Sequence, residues 1–288
     1  MRYLAFVSLI WAFSFGLIGS ALTGVDSFLV ATLRLAFATL VFLPFLRLKS
    51  MERGDLFKLF VYGGIQFGFM YICYMKAYQY LPSHLVALFS ILTPVYVVLI
   101  HDLRSRQFSF RYLIAALLSV SGAAIIKVEE IPSGAIWTGF ALMQFAGLAF
   151  AFGQIAYRDW KWKHPAIQDH TVFAVLTLGG TLTAGALSLF FADREALNIE
   201  ANQWLSILYL GSVASGLGFF LWNKGATRCN PGALAAFNNA VVPLAVLFSL
   251  FIFGEIKAAS AEAVLRLLIG GLFIAAALFF AVKKPAGS

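Results

Sequence analysis

The chain has 288 residues, 61% of them hydrophobic and only 12% charged, whereas soluble domains carry about 25% charge. Thirty phenylalanines and a mean hydropathy of +0.87 exclude an ordinary soluble fold. The net charge of +8 would suit a nucleic acid, but the basic residues sit in short clusters between apolar runs, which fits orientation in a lipid bilayer and no nucleic-acid partner.

A membrane-crossing helix needs about 20 apolar residues, and ten such spans are predicted in chain order. The first, 3–21, carries Trp11 and Ser14. Arg2, the apolar run and Gly19-Ser20-Ala21 mimic a signal peptide, but the span has a counterpart opening the second half, so it is expected to stay. The second, 28–47, holds Arg34 about a third of the way in. A charge at mid-bilayer costs roughly 2.5–3.5 kcal/mol on insertion scales. Arg34 therefore reaches the outer interface, pairs inside the bundle, or contacts a substrate. The third span, 56–79, carries Gln66, Tyr71, Tyr74, Tyr78 and Lys76, with small residues at Gly64 and Gly68. The fourth, 83–101, holds His84, Ser90 and Pro94.

Span five, 110–127, is plain. Span six, 135–157, has Gln144, Gln154 and Tyr157, and span seven covers 171–191. Span eight, 203–224, repeats the small pair as Gly211 and Ser215 and adds Trp222, Asn223 and Lys224. Span nine, 232–253, carries Asn238, Asn239 and Pro243; span ten is 264–282. Proline removes a backbone hydrogen bond and crowds the carbonyl four residues earlier. Those positions are Ser90 and Asn239, so each proline is expected to bend a helix beside a polar, ligand-facing patch.

With the N-terminus inside, fifteen Lys and Arg fall on the inner side and five on the outer, Arg34 standing within a span. That places both termini in the cytoplasm. The segment from Lys76-Ala77-Tyr78 to Pro94 is echoed from Lys224-Gly225-Ala226 to Pro243. Five spans per half then make the halves, 1–129 and 130–288, inverted relative to each other. The expected fold class is an all-α integral membrane protein of ten transmembrane helices in two inverted five-helix repeats, the ground plan of alternating access.

Here the chain resembles the drug/metabolite transporter superfamily in its ten-helix, EamA-type form. The resemblance rests on Leu9-Ile10-Trp11-Ala12-Phe13-Ser14, on Arg34-Leu35-Ala36-Phe37, on the turn-helix repeats ending at Pro94 and Pro243, and on Gly254-Glu255. Ser105-Arg106 stands where the family often has Gly-Glu, so Glu255 is not one of a symmetric pair. The resemblance implies a secondary transporter of small metabolites in the cell inner membrane, with an amino-acid or metabolite exporter the first expectation. Uptake of a carboxylate-bearing or nucleobase-like solute is the alternative.

The expected substrate-binding set is Trp11, Ser14, Arg34, Tyr74, Tyr78, Ser90, Gln154, Trp222, Asn238 and Asn239, with Lys76, Pro94, Lys224 and Pro243 as gate or hinge residues. No acidic residue lies clearly inside a span, which disfavours cationic substrates and suits one bearing a carboxylate. Four scattered histidines supply no catalytic constellation, so an enzyme is not expected. Cys73 and Cys229 are expected to be unpaired thiols, and no Cys/His cluster has the spacing of a metal site. No cofactor is implied, and the expected partners are a small-molecule substrate and the bilayer. A monomer and a homodimer remain equally open.

Overall fold

A computed structural model describes residues 1–22, 24–48, 51–81, 86, 89–127, 136–193, 198–251 and 261–282. His84, Gly254 and Glu255, singled out above, lie outside the described residues. The helices are α1 (Arg2–Ala21), α2 (Ser27–Phe42, continued by a 3-10 turn Leu43–Phe45), α3 (Arg53–Ala77), α4 (Thr93–Ser105), α5 (Phe110–Lys127), α6 (Ile136–Lys163), α7 (Asp169–Phe191), α8 (Ala201–Ala226), α9 (Pro231–Phe251) and α10 (Ala261–Val282). No strand occurs among the described residues. This follows from the solvent: lipid offers the backbone no hydrogen bond, so every peptide group must be satisfied within a helix or a closed barrel.

Among the described residues six helices are long and apolar enough to cross a membrane, namely α2, α3, α6, α7, α8 and α10. Arg2–Ser14 and Phe110–Ile126 are shorter apolar helices. Span four includes residues outside the described set, and span nine corresponds to α9. Large apolar side chains cover the outside of the bundle, with Leu189 and Phe190 82% and 81% exposed. Such a surface suits acyl chains rather than water.

Partners come in pairs five helices apart: α2 packs on α7, α4 on α9 and α5 on α10. Likewise α3 packs on α6 and α7, while α8 packs on α1 and α2. Glycines allow the closest of these approaches. A Cβ at Gly63 or Gly179 would overlap the carbonyls of Leu176 and Phe60, and one at Gly68 would sit 2.7 Å from the Gly180 oxygen. The small-residue spacing read from the sequence thus marks where α3 meets α7 backbone to backbone.

Contacts also sort the loops into two ends. At one, Arg104 Nε lies 2.5 Å from Asp159, His164 faces Asp55 at 2.9 Å, Arg228 donates to the Tyr3 hydroxyl, and Trp162 donates to the Thr227 carbonyl. At the other, Asp26 caps α2 through the Leu29 amide at 2.8 Å and accepts the Asp193 amide at 3.1 Å. The first is the basic end.

Two features differ from expectation. Pro94 does not bend a continuous helix: a turn at Ile91-Leu92 precedes it and α4 begins at Thr93, with proline in the first turn where its missing N–H costs nothing. Pro243 does lie inside a continuous helix. In addition, α3 and α8 each contain a π segment, Gly64–Phe69 and Leu210–Leu217. In the register that matches Lys76 with Lys224, the first falls on 212–217, inside the second.

Candidate functional site

Arg34 does not reach an interface. It is 3% exposed, in the middle of α2, enclosed by α3 and α8. Its Nη2 donates to the Tyr71 hydroxyl at 2.7 Å and its Nε to the Ser215 hydroxyl at 3.3 Å, with the guanidinium carbon 4.6 Å from the Tyr71 ring centre. Ser215 lies in the π segment of α8 and donates to the Leu210 carbonyl, five residues back, at 2.8 Å. A serine has one hydroxyl proton. The 3.0 Å contact between Tyr71 and Ser215 therefore has Tyr71 as donor, which leaves its oxygen free to accept from Arg34. The chain of donation runs Arg34, Tyr71, Ser215, Leu210 carbonyl. Arg34 Nη1 is buried without a hydrogen-bond partner. Among the described residues no carboxylate pairs with this cation.

Aromatic rings continue from this cation. Tyr71 lies 6.2 Å from Tyr74, whose hydroxyl is 2.9 Å from that of Tyr78. On the other side Tyr71 is 5.5 Å from Phe219, which packs on Trp11 at 5.6 Å, and Trp11 lies 4.7 Å from Trp222. Trp11 donates to the Ala214 carbonyl at 2.9 Å, again within the α8 π segment, and Gly218 leaves the room its indole needs. Trp222 donates to Gln154 Oε1 at 3.0 Å, while Gln154 Nε2 is buried without a partner. Beside them Gln66 and Asn223 exchange amide hydrogen bonds at 2.8 and 3.3 Å, joining α3 to α8.

Six of the expected residues thus form one connected network: Trp11, Arg34, Tyr74, Tyr78, Gln154 and Trp222. Two buried donors, Arg34 Nη1 and Gln154 Nε2, stand unused in it. Ser14 is buried but donates to its own helix at the Ile10 carbonyl. Asn238 likewise returns to the Leu234 carbonyl. Ser90 and Asn239 belong to the helix break instead. Pro94 leaves the Ser90 carbonyl without its helical donor, and the Thr93 hydroxyl supplies one at 2.7 Å. The Val95 amide turns to Leu92, and the vacated Ile91 carbonyl accepts from Asn239 Nδ2 at 2.9 Å. Asn239 therefore ties α9 to the break before α4. Lys76 and Lys224 are half-buried, each 5.4 Å from an aromatic ring, of Phe28 for the first and of Tyr3 and Phe220 for the second.

Tyr71 and Ser215 are the residues that sequence reasoning left out of the site. Both were visible as a span aromatic and a small-pair serine, but nothing local indicated that they meet.

The EamA-like transporter family matches residues 2–128. A probable biotin transporter of Pseudomonas aeruginosa is 40% identical over 97% of this chain and 96% of its own length. This chain belongs to the EamA-like transporter family. It is a multi-pass membrane protein that carries a small molecule and is not an enzyme. The biotin transporter of Salmonella typhimurium is 37% identical over 88% of this chain and 85% of its own. A crystal structure only 17% identical superposes with a TM-score of 0.76 over 97% of this chain and 96% of that one, which shows a shared fold alone.

Proposed function

We propose that this inner-membrane protein carries a small solute bearing a carboxylate, with biotin the first substrate to test. The observation that carries the reading is Arg34, a buried cation with no acidic partner among the described residues and a free Nη1 donor. A lone charge in a dry bundle is costly and needs a reason. A carboxylate docking on Nη1 neutralises it through a charge-assisted hydrogen bond. The network's second unused donor, Gln154 Nε2, suits a neutral acceptor such as a ureido carbonyl, and the ring path between them suits an apolar body. Biotin has all three parts, and relatives at 37–40% identity bear its name.

The pairing of helices five apart and the matching π segments support two inverted five-helix halves, 1–129 and 130–288, working by alternating access. The clustering of Arg2, Arg104, Arg158, Lys161 and Arg228 supports a cytoplasmic basic end carrying both termini.

The test is uptake of labelled biotin by cells lacking their own biotin transporter. Saturable uptake, competed by biotin but not by its methyl ester, is the expected result. Arg34→Gln should raise KM about tenfold or more, as loss of a hydrogen bond to a charge implies, while Arg34→Lys retains partial affinity. An unchanged KM in Arg34→Gln makes Arg34 an anchor and overturns the reading. Efflux from vesicles loaded with biotin or with amino acids separates uptake from the export that the family resemblance implies.

A further inference from the structure

A cationic cavity lies at the basic end, apart from the Arg34 network. It has a volume of about 590 Å³ and is lined by His101 and Tyr112, by Arg158 and Trp162 of α6, and by the connection from Thr227 to Pro231 between α8 and α9. Arg158 is 2% exposed. Its Nη2 makes a long 3.3 Å bond to the Cys229 carbonyl, and its guanidinium stacks 3.8 Å from the Trp162 ring centre. Both Nε and Nη1 are buried without partners. Arg228, exposed, adds a second guanidinium, steadied by the Tyr3 hydroxyl at 3.3 Å. Among the described residues, no Asp or Glu lines the cavity. Of the nearby acids, Asp159 pairs with Arg104 while its charge also favours Arg158, and Asp102 accepts the Ser109 amide through Oδ2 while its buried Oδ1 has no hydrogen-bond partner; neither is among the cavity's described lining residues.

Both guanidiniums line one cavity whose described lining holds no carboxylate, and a bound anion would offset the cost of burying Arg158. We propose that this cavity is a binding site for a phosphate group, either the headgroup of an anionic phospholipid or a free phosphate ester. A tetrahedral anion offers several acceptor oxygens to donors arriving from two arginines and the cavity wall, and arginine matches that geometry well. Trp162, 55% exposed, flanks the cavity as an interfacial aromatic would flank a headgroup.

The test is performed on the purified full-length protein in a zwitterionic detergent. Phosphatidylglycerol and inorganic phosphate are added separately, with binding read by native mass spectrometry and by thermal shift, and neutral diacylglycerol serves as the control. At least one phosphate source should bind and raise the melting temperature. Arg228→Gln, at an exposed side chain, should weaken that binding about tenfold. Arg158→Gln should weaken it further and Arg158→Lys less. Retention of phosphatidylglycerol against excess inorganic phosphate identifies a lipid site, and displacement identifies a free-phosphate site. Binding of neither, or binding unchanged in Arg228→Gln, overturns the proposal. Biotin uptake by Arg228→Gln should keep its KM, so failure here is distinguishable from failure of the Arg34 reading.

Discussion

Side chains in this bundle are distinguished by how completely their polar atoms are used. Gln66 and Asn223 satisfy each other, whereas Arg34 and Gln154 each keep one donor in reserve. The first pair holds α3 to α8. Gln66→Leu should lower stability by about 1–3 kcal/mol, because it leaves the Asn223 amide buried and unpaired. The double variant with Asn223→Leu should recover part of the loss, and thermal unfolding in detergent reads both. Arg34 was legible in the sequence because a charge inside a span is conspicuous. Its partners were not, since Tyr71 and Ser215 lie 144 residues apart and helical periodicity orders one helix without saying which neighbour it faces. Arg158 shows the opposite case: it lies one residue past the predicted end of span six, yet the helix runs on to Lys163 and buries its side chain.

Helices 3 and 8 carry the architecture's departures from regularity. Glycine lets their π segments press against neighbouring backbones, so adding a methyl should act unequally along α3. Gly68→Ala meets the Gly180 oxygen and Thr183 at 2.7 Å and should cost about 1–3 kcal/mol by overpacking. Gly54→Ala meets nothing within 4 Å and should be neutral or slightly stabilising. Similar melting temperatures for the two would contradict the close α3–α7 contact. The proline break was half legible: the sequence marked Pro94 and Pro243 as a pair, but only packing decides that one starts a helix and the other sits within one. Asn239→Ala should slow transport and lower stability by about 1 kcal/mol, since it frees the Ile91 carbonyl at the break. Normal transport kinetics together with normal stability would show that the tie is idle.

For the molecule as a whole, lipid made the helical fold readable, because apolar length and basic clusters leave few alternatives. Substrate identity was not readable, since it depends on which unused donors converge across helices. Sidedness can be measured at Cys229, between α8 and α9 at the basic end. Burial pushes its thiol up to about 11, so it remains protonated near neutrality. Maleimide labelling should be slow at pH 7 and rise about tenfold per pH unit up to pH 10, where an ordinary thiol levels off near pH 8.5. An impermeant reagent should reach it in inside-out vesicles only. Labelling from the opposite face would reverse the proposed topology.

The π segment of α3 also constrains which sequence changes the chain can tolerate. A π turn holds one residue more than the α turn it replaces. Deleting any one residue among Gly64–Phe69 would let the helix close into a regular α ladder with no break in hydrogen bonding. Everything beyond would keep its direction, because the shortened α segment sweeps about the same rotation and rise as the π segment it replaces. Tyr71, Tyr74 and Tyr78 would stay on the Arg34 face, and only contacts of the segment itself would be lost. A deletion in the regular α stretch Arg53–Gly63 has no surplus residue to absorb it, turns what precedes it by about 100° relative to the rest, and should produce a folded, inserted and inactive carrier.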